Sequence, residues 1–192
     1  FVEGERAFRE GQFGAAQDRF RKAVAADTAF ALAYLRLSQS ANWTGSHWQA
    51  YSAAEAALRH VDRLTTVQQN LAHGWWAYVI GAADEAEEAF RAVLASDSLN
   101  ADAWFYLGET IFHWAPTYGW SFDDARDAFR RVLAFEPGNA AAIVHLSRLA
   151  ARSGDVAALD SLSDRLRKLG PAGDYSLEIR ALRAWAAVDE GA

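Results

Sequence analysis

The feature that most constrains this chain is a motif of small and bulky residues that returns at intervals close to 34 residues. It is clearest from Ala101 to Pro137, where Trp104, Leu107 and Gly108 stand at the spacing W-x2-L-G. Trp104, Leu107 and Ile111 share one face of a 3.6-residue period, and so do Ala125, Phe129 and Val132 on the next segment. A bulky residue beside a glycine on one helix, against an alanine on the other, lets two antiparallel helices approach closely. Pro137 ends the second helix, because it has no N–H for the ladder and does not fit the interior of a turn.

The unit recurs from end to end. Gly11, Phe13, Ala16 and Phe20 carry the second half of a first copy, whose first helix is expected over about 2–10. Gly45 and Ala50 follow 34 residues later, behind Tyr34 and Leu37. Gly81, Ala86 and Phe90, with Gly74 and Ala77 ahead of them, make a third copy. Leu146, Ser147 and Gly154 make a fifth, ending at Pro171. The second-helix alanines, Ala16, Ala50, Ala86 and Ala125, then Leu159, are separated by 34, 36, 39 and 34 residues. Such a period predicts a helical solenoid with repeats at about 1–30, 31–66, 67–100, 101–139 and 140–171. A terminal helix is expected at about 174–189, with Leu177, Leu182, Trp185 and Val188 covering the open end.

Departures from the motif carry their own expectations. Ala54 and Ser163 replace the second-helix aromatic in the second and fifth copies, and Asn70 and His73 replace the tryptophan and leucine in the third. The second helix of the second copy is expected to run long, from Ser46 to Leu64. Between Phe112 and Ala125 the chain has about five extra residues, with Trp114, Tyr118, Trp120 and Phe122 around Pro116 and Gly119. This reads as a long aromatic loop that either packs on the edge of the stack or rims a partner site.

The pattern W-x2-L-G, A-x3-F, P resembles the tetratricopeptide repeat (TPR) family over essentially the whole chain. The resemblance implies an all-α fold, a right-handed α-solenoid of about five helix-turn-helix repeats with a C-terminal capping helix. It also implies a non-catalytic scaffold that holds a peptide or partner helix in a concave groove lined by the first helices. Carried over by helical phase, the groove residues are Arg36, Gln39, Asn42 and Trp43, then Trp75 and Tyr78. Tyr106, Glu109, Phe112 and His113 follow, and His145, Arg148 and Arg152 complete the surface. Tyr106 and Arg148 are expected to be exposed there. Rings beside arginines suit a peptide with apolar anchors and an acidic end. Members that clamp a C-terminal carboxylate use lysines, and no lysine is available in this groove. A weaker resemblance, in FYLGETIFHWAP and FRRVLAFEPGNAAAIVHLSRLA, is to TPR regions C-terminal to bacterial serine/threonine kinase or transcriptional-regulator domains. It implies the docking or regulatory region of a bacterial signalling protein.

Composition narrows the chemistry. Cysteine is absent, which excludes disulfides, thiol nucleophiles and cysteine-bound metals. A net charge of -6 argues against a nucleic-acid partner, which needs a basic face. No run of about 18 apolar residues suggests membrane insertion by this segment. Seventeen arginines against two lysines fit a GC-rich bacterial source, and a cytoplasmic location is expected. The chain begins at Phe1, as expected of a piece of a larger protein. Phosphate loops, dinucleotide fingerprints, nucleophile elbows and kinase signatures are missing, so no enzyme and no cofactor are expected.

Glu109 and His113 share a helical face and His145 lies on the next first helix, a set that could bind a metal. The two histidines differ by about seven residues in helical height, roughly 10 Å, which favours separate hydrogen-bonded histidines and no metal. Two functions remain open. One is the peptide-binding scaffold; the other is a small-molecule sensor with an aromatic pocket under residues 114–122.

Overall fold

The computed structural model describes residues 1–169 and 176–189, and among them finds eleven α-helices. They run α1 (Val2–Arg9), α2 (Phe13–Ala26), α3 (Ala31–Trp43), α4 (His47–Arg59), α5 (Thr66–Ile80) and α6 (Ala83–Ser96). Then come α7 (Ala101–Tyr118), α8 (Phe122–Phe135), α9 (Ala140–Arg152), α10 (Val156–Lys168) and α11 (Ser176–Asp189). The first ten form five antiparallel pairs stacked as a right-handed solenoid.

Each pair turns at a glycine. Gly11, Gly45, Gly81, Gly119 and Gly154 all have φ between 68° and 83°, the left-handed conformation that a side chain resists. Within a pair, size complementarity sets how closely the helices meet. A Cβ on Gly4 would lie 2.7 Å from the Phe20 ring, one on Gly74 2.8 Å from Phe90, and one on Gly108 2.9 Å from Phe129. Phe20, Phe90 and Phe129 are fully buried, so each ring occupies the space its glycine vacates. Where the second helix carries Ala54 or Ser163 instead, the first helix carries Ser38 or Ser147. Each serine hydroxyl donates to a backbone carbonyl, Ser38 to Ala50 at 2.5 Å and Ser147 to Ile143 at 2.9 Å. The indole N–H of Trp75, from the next pair, donates to Ser38 Oγ at 2.7 Å beside the small Ala54.

Three expectations are corrected. The extra residues after Phe112 are helix rather than loop, since α7 continues through Pro116 to Tyr118. Pro116 removes only the ladder bond to the Phe112 carbonyl, and Gly119 caps the helix by donating to Ala115 at 2.9 Å. The aromatics are spent on one another and on the preceding turn: Tyr118 stacks on Trp120, and Trp114 lies against Gly81. Secondly, α4 stops at Arg59, and a 3-10 turn at Val61–Arg63 accounts for the added residues. Thirdly, among the described side chains of α11, Ile179 and Ala186 are buried and Leu182 packs beside Ala186 as expected, whereas Trp185 is exposed. The side chains of Leu177 and Val188, like Pro171, lie outside the described residues.

Gly108→Leu is therefore expected to destabilise more than Gly119→Leu in urea unfolding. The first must displace Phe129 from a closed helix pair, an overpacking cost of about 1–3 kcal/mol or more. The second meets no neighbour within 4 Å and suffers only the left-handed φ, about 1–2 kcal/mol.

Candidate functional site at the mouth of the concave face

The concave face is filled by its own side chains, because the solenoid curls until its ends meet. Ala140 Cβ lies 3.4 Å from where Gly11 would place a Cβ, and Arg9 pairs with Glu136 at 3.5 Å. The turn between α1 and α2 thus touches the turn between α8 and α9. Inside, Arg36 on α3 donates to Glu5 of α1 (2.8 Å), Asp102 of α7 (2.6 Å) and its own-helix Gln39 (2.9 Å). Burial alone would lower the pKa of the guanidinium, but Asp102 and Glu5 outweigh it and keep Arg36 charged. Two clefts border this cluster, one of about 20 Å³ lined by Glu5, Arg36, Asp102 and Tyr106, and one of about 280 Å³ lined by Arg36, Gln39, Leu71 and Asp102.

A second centre lies toward the C-terminal ends of the first helices. The His145 ring stacks on Phe129 at 4.7 Å and meets Trp43, Phe105 and Phe112 edge-on at 5.8, 6.3 and 4.9 Å. Trp43 is itself stacked on Phe13 at 4.6 Å, which brings α2, α3, α7, α8 and α9 to one aromatic box. His145 is 1% exposed and Glu109 4%. Glu109 Oε1 is in contact with His145 Nε2, and Oε2 stands 3.6 Å from Nε2 of the exposed His113. The Tyr78 hydroxyl donates to Oε2 at 3.4 Å. Burial pushes the Glu109 carboxyl up, but His145 and His113 prevail and hold it below the usual carboxylate range. Burial and the neighbouring carboxylate push the Tyr78 phenol up, so it remains a donor.

The thirteen residues assigned to the groove divide by position along their helices. Arg36, Gln39, Trp75, Tyr106, Glu109 and His145 are buried in the closed interior. The expectation that Tyr106 is exposed is corrected: it is 2% exposed, packed against Trp75 and Phe90. Arg148 is also less free than expected, its side chain 31% exposed and bonded to Glu178 of α11 at 2.6 Å. Asn42, Trp43, Tyr78 and Phe112 are half-buried, and His113 and Arg152 are exposed. These six and Arg148 form a rim at the mouth of the closed face, where Arg152 lies over the Phe122 ring at 4.1 Å.

The separation inferred for His113 and His145 is corrected as well. One ligand atom from each of Glu109, His113 and His145 lies within 4.8 Å of the others. Helical side chains lean toward the N-terminus, so the His113 ring drops back to the level of Glu109. The His145 side chain reaches Glu109 at that same level, which residue counting from the helix starts does not reveal. Two further features escaped the sequence reading. Glu5 and Asp102, the partners of Arg36, are 31 and 66 residues from it. On the outer side, Trp48, Tyr51 and Trp76 form a row with ring spacings of 6.0 and 5.1 Å, and Trp48 is 80% exposed. The i, i+3 placement of Trp48 and Tyr51 on an otherwise alanine-rich helix was the available signal.

Tyr106→Ala is expected to cost about 3 kcal/mol or more in urea unfolding, as for other buried rings. Arg152→Ala, at an exposed site, is expected to cost under about 1 kcal/mol. An equal loss in the two variants contradicts the division of the face into interior and rim.

No protein-family model and no curated protein matches the sequence. Among solved structures, YrrB, a TPR protein with an unusual peptide-binding site, is 17% identical, with a TM-score of 0.51 over 93% of this chain and 87% of its own. The Cut9–Hcn1 hetero-tetramer of APC/C contains a chain 19% identical, with a TM-score of 0.58 over 98% of this chain and 35% of that one. PilF of Pseudomonas aeruginosa is 16% identical, with a TM-score of 0.51 over 98% of this chain and 87% of its own. Paired helices that turn at left-handed glycines and close through glycine–phenylalanine contacts, together with the likeness of the whole stack to these structures, show that the chain has the tetratricopeptide fold.

Proposed function

We propose that the chain is a non-catalytic protein-interaction scaffold, its five repeats acting as one solenoid, that holds an extended peptide along the rim at the mouth of the concave face. The observation that carries this reading is the division of the predicted groove. Its interior half is occupied by the protein's own side chains, while Asn42, Trp43, Tyr78, Phe112, His113, Arg148 and Arg152 keep accessible surface. Trp43, Tyr78 and Phe112 supply rigid apolar contact at small entropic cost, and the exposed Arg152 supplies charge for an acidic group. The fold it shares with YrrB, whose own peptide-binding site is described as unusual, supports peptide capture as the mode. The resemblance of its fourth and fifth repeats to kinase- and regulator-linked repeats supports a docking role within a bacterial signalling protein.

No described helix is long and apolar enough to cross a membrane. A displayed peptide library selected on the immobilised chain tests it. The expected consensus is an apolar anchor next to Asp, Glu or a free C-terminus, and Arg152→Ala is expected to weaken the selected peptide about tenfold at unchanged melting temperature. Selection of peptides without an acidic position, or unchanged affinity in Arg152→Ala, overturns the rim as the site.

A further inference from the structure

We propose that Glu109, His113 and His145 form a binding site for one divalent first-row transition-metal ion. This inference does not depend on the peptide reading, although His113, Tyr78, Phe112 and Trp43 also belong to the rim. Glu109 and His113 project from successive turns of α7, and His145 comes from α9 to meet them. All three donor atoms lie within 4.8 Å of one another. Ligands about 2.0–2.1 Å from a shared zinc ion stand roughly 3.3 Å apart, so small side-chain rotations suffice to bring these atoms onto one centre.

The second observation is what the buried donors lack. Glu109 Oε1 and both ring nitrogens of His145 have no hydrogen-bond partner, although each is shut off from solvent. Oε1 and Nε2 have only each other as a near polar neighbour, and Nδ1 of His145 has none. Buried polar atoms are seldom left this way, because an unmet donor or acceptor costs about 1–3 kcal/mol. A cation that Oε1 and Nε2 move apart to coordinate satisfies both at once. The surroundings match a metal centre in other respects. Tyr78 holds Glu109 through its other oxygen, Oε2, in the manner of an outer-shell partner that fixes a ligating carboxylate. Phe129, Phe112 and Trp43 fix the His145 ring, and the exposed His113 leaves the fourth position open to solvent as the entry path. Two imidazoles and one carboxylate select zinc and its first-row neighbours over magnesium or calcium, which take oxygen ligands.

The test is a calorimetric titration of tag-free, chelator-treated protein with Zn2+, with Co2+ as a spectroscopic probe. The expected result is one ion per chain with micromolar or tighter affinity, a Co2+ ligand-field spectrum, and a zinc-dependent rise in melting temperature. His113→Ala, a change at an exposed residue, is expected to keep the helical fold and lose at least tenfold in zinc affinity. Glu109→Gln is expected to lose binding as well. The proposal is overturned if wild type takes up no zinc at micromolar concentration. It is equally overturned if His113→Ala binds as tightly as wild type, which assigns the ion to His47, His60 or His73.

Discussion

The structure depends on the burial of one cation. Arg36 leaves water almost completely, which is tolerable only because Glu5, Asp102 and Gln39 surround it with acceptors. Those acceptors come from three different repeats. To satisfy Arg36 the chain must therefore curl until α1, α3 and α7 converge. Once they converge, Trp43 reaches His145 across the concave face, and Arg9 reaches Glu136. A buried ion pair of this kind contributes less to stability than to the choice of one geometry. Here the geometry chosen is a solenoid closed on itself.

Local and long-range features differ in how far they could be read. The helix pairs were legible because glycine size and turn chemistry act between residues close in the sequence. Gly108 with Phe129 and Gly74 with Phe90 belong to single repeats, and the left-handed glycines recur with the period. Even the exceptions obey the same rule, since Ser38 faces the small Ala54 and Ser147 the small Ser163. Pro116 misled because a proline close to a helix end costs one ladder bond without stopping the helix, provided that a glycine cap follows.

Closure of the concave face was not legible. The groove assignment follows helical phase alone, which places Tyr106 and Arg148 on an exposed surface. Curvature accumulates from small offsets between repeats, and a single repeat's motif does not record them. Tyr106 consequently fills the interior rather than a surface, and the helical height of His145 relative to Glu109 was misjudged. The accessible rim and the carboxylate–imidazole cluster are both products of that curvature. The rim is what closure leaves open, and the cluster is where the His145 side chain of α9 reaches Glu109 of α7.

Closure is also the claim most open to direct measurement. The chain has no cysteine, so substitutions at Gln12 and Gly138, both exposed and on the two turns that meet, supply a unique pair of spin-label sites. Pulsed electron resonance on that pair reports the distance between the first and last parts of the curl. A single narrow, short distance is the predicted result, and it should broaden and lengthen when Arg36→Ala is added. A broad distribution of long distances in the otherwise unaltered chain would contradict a closed solenoid.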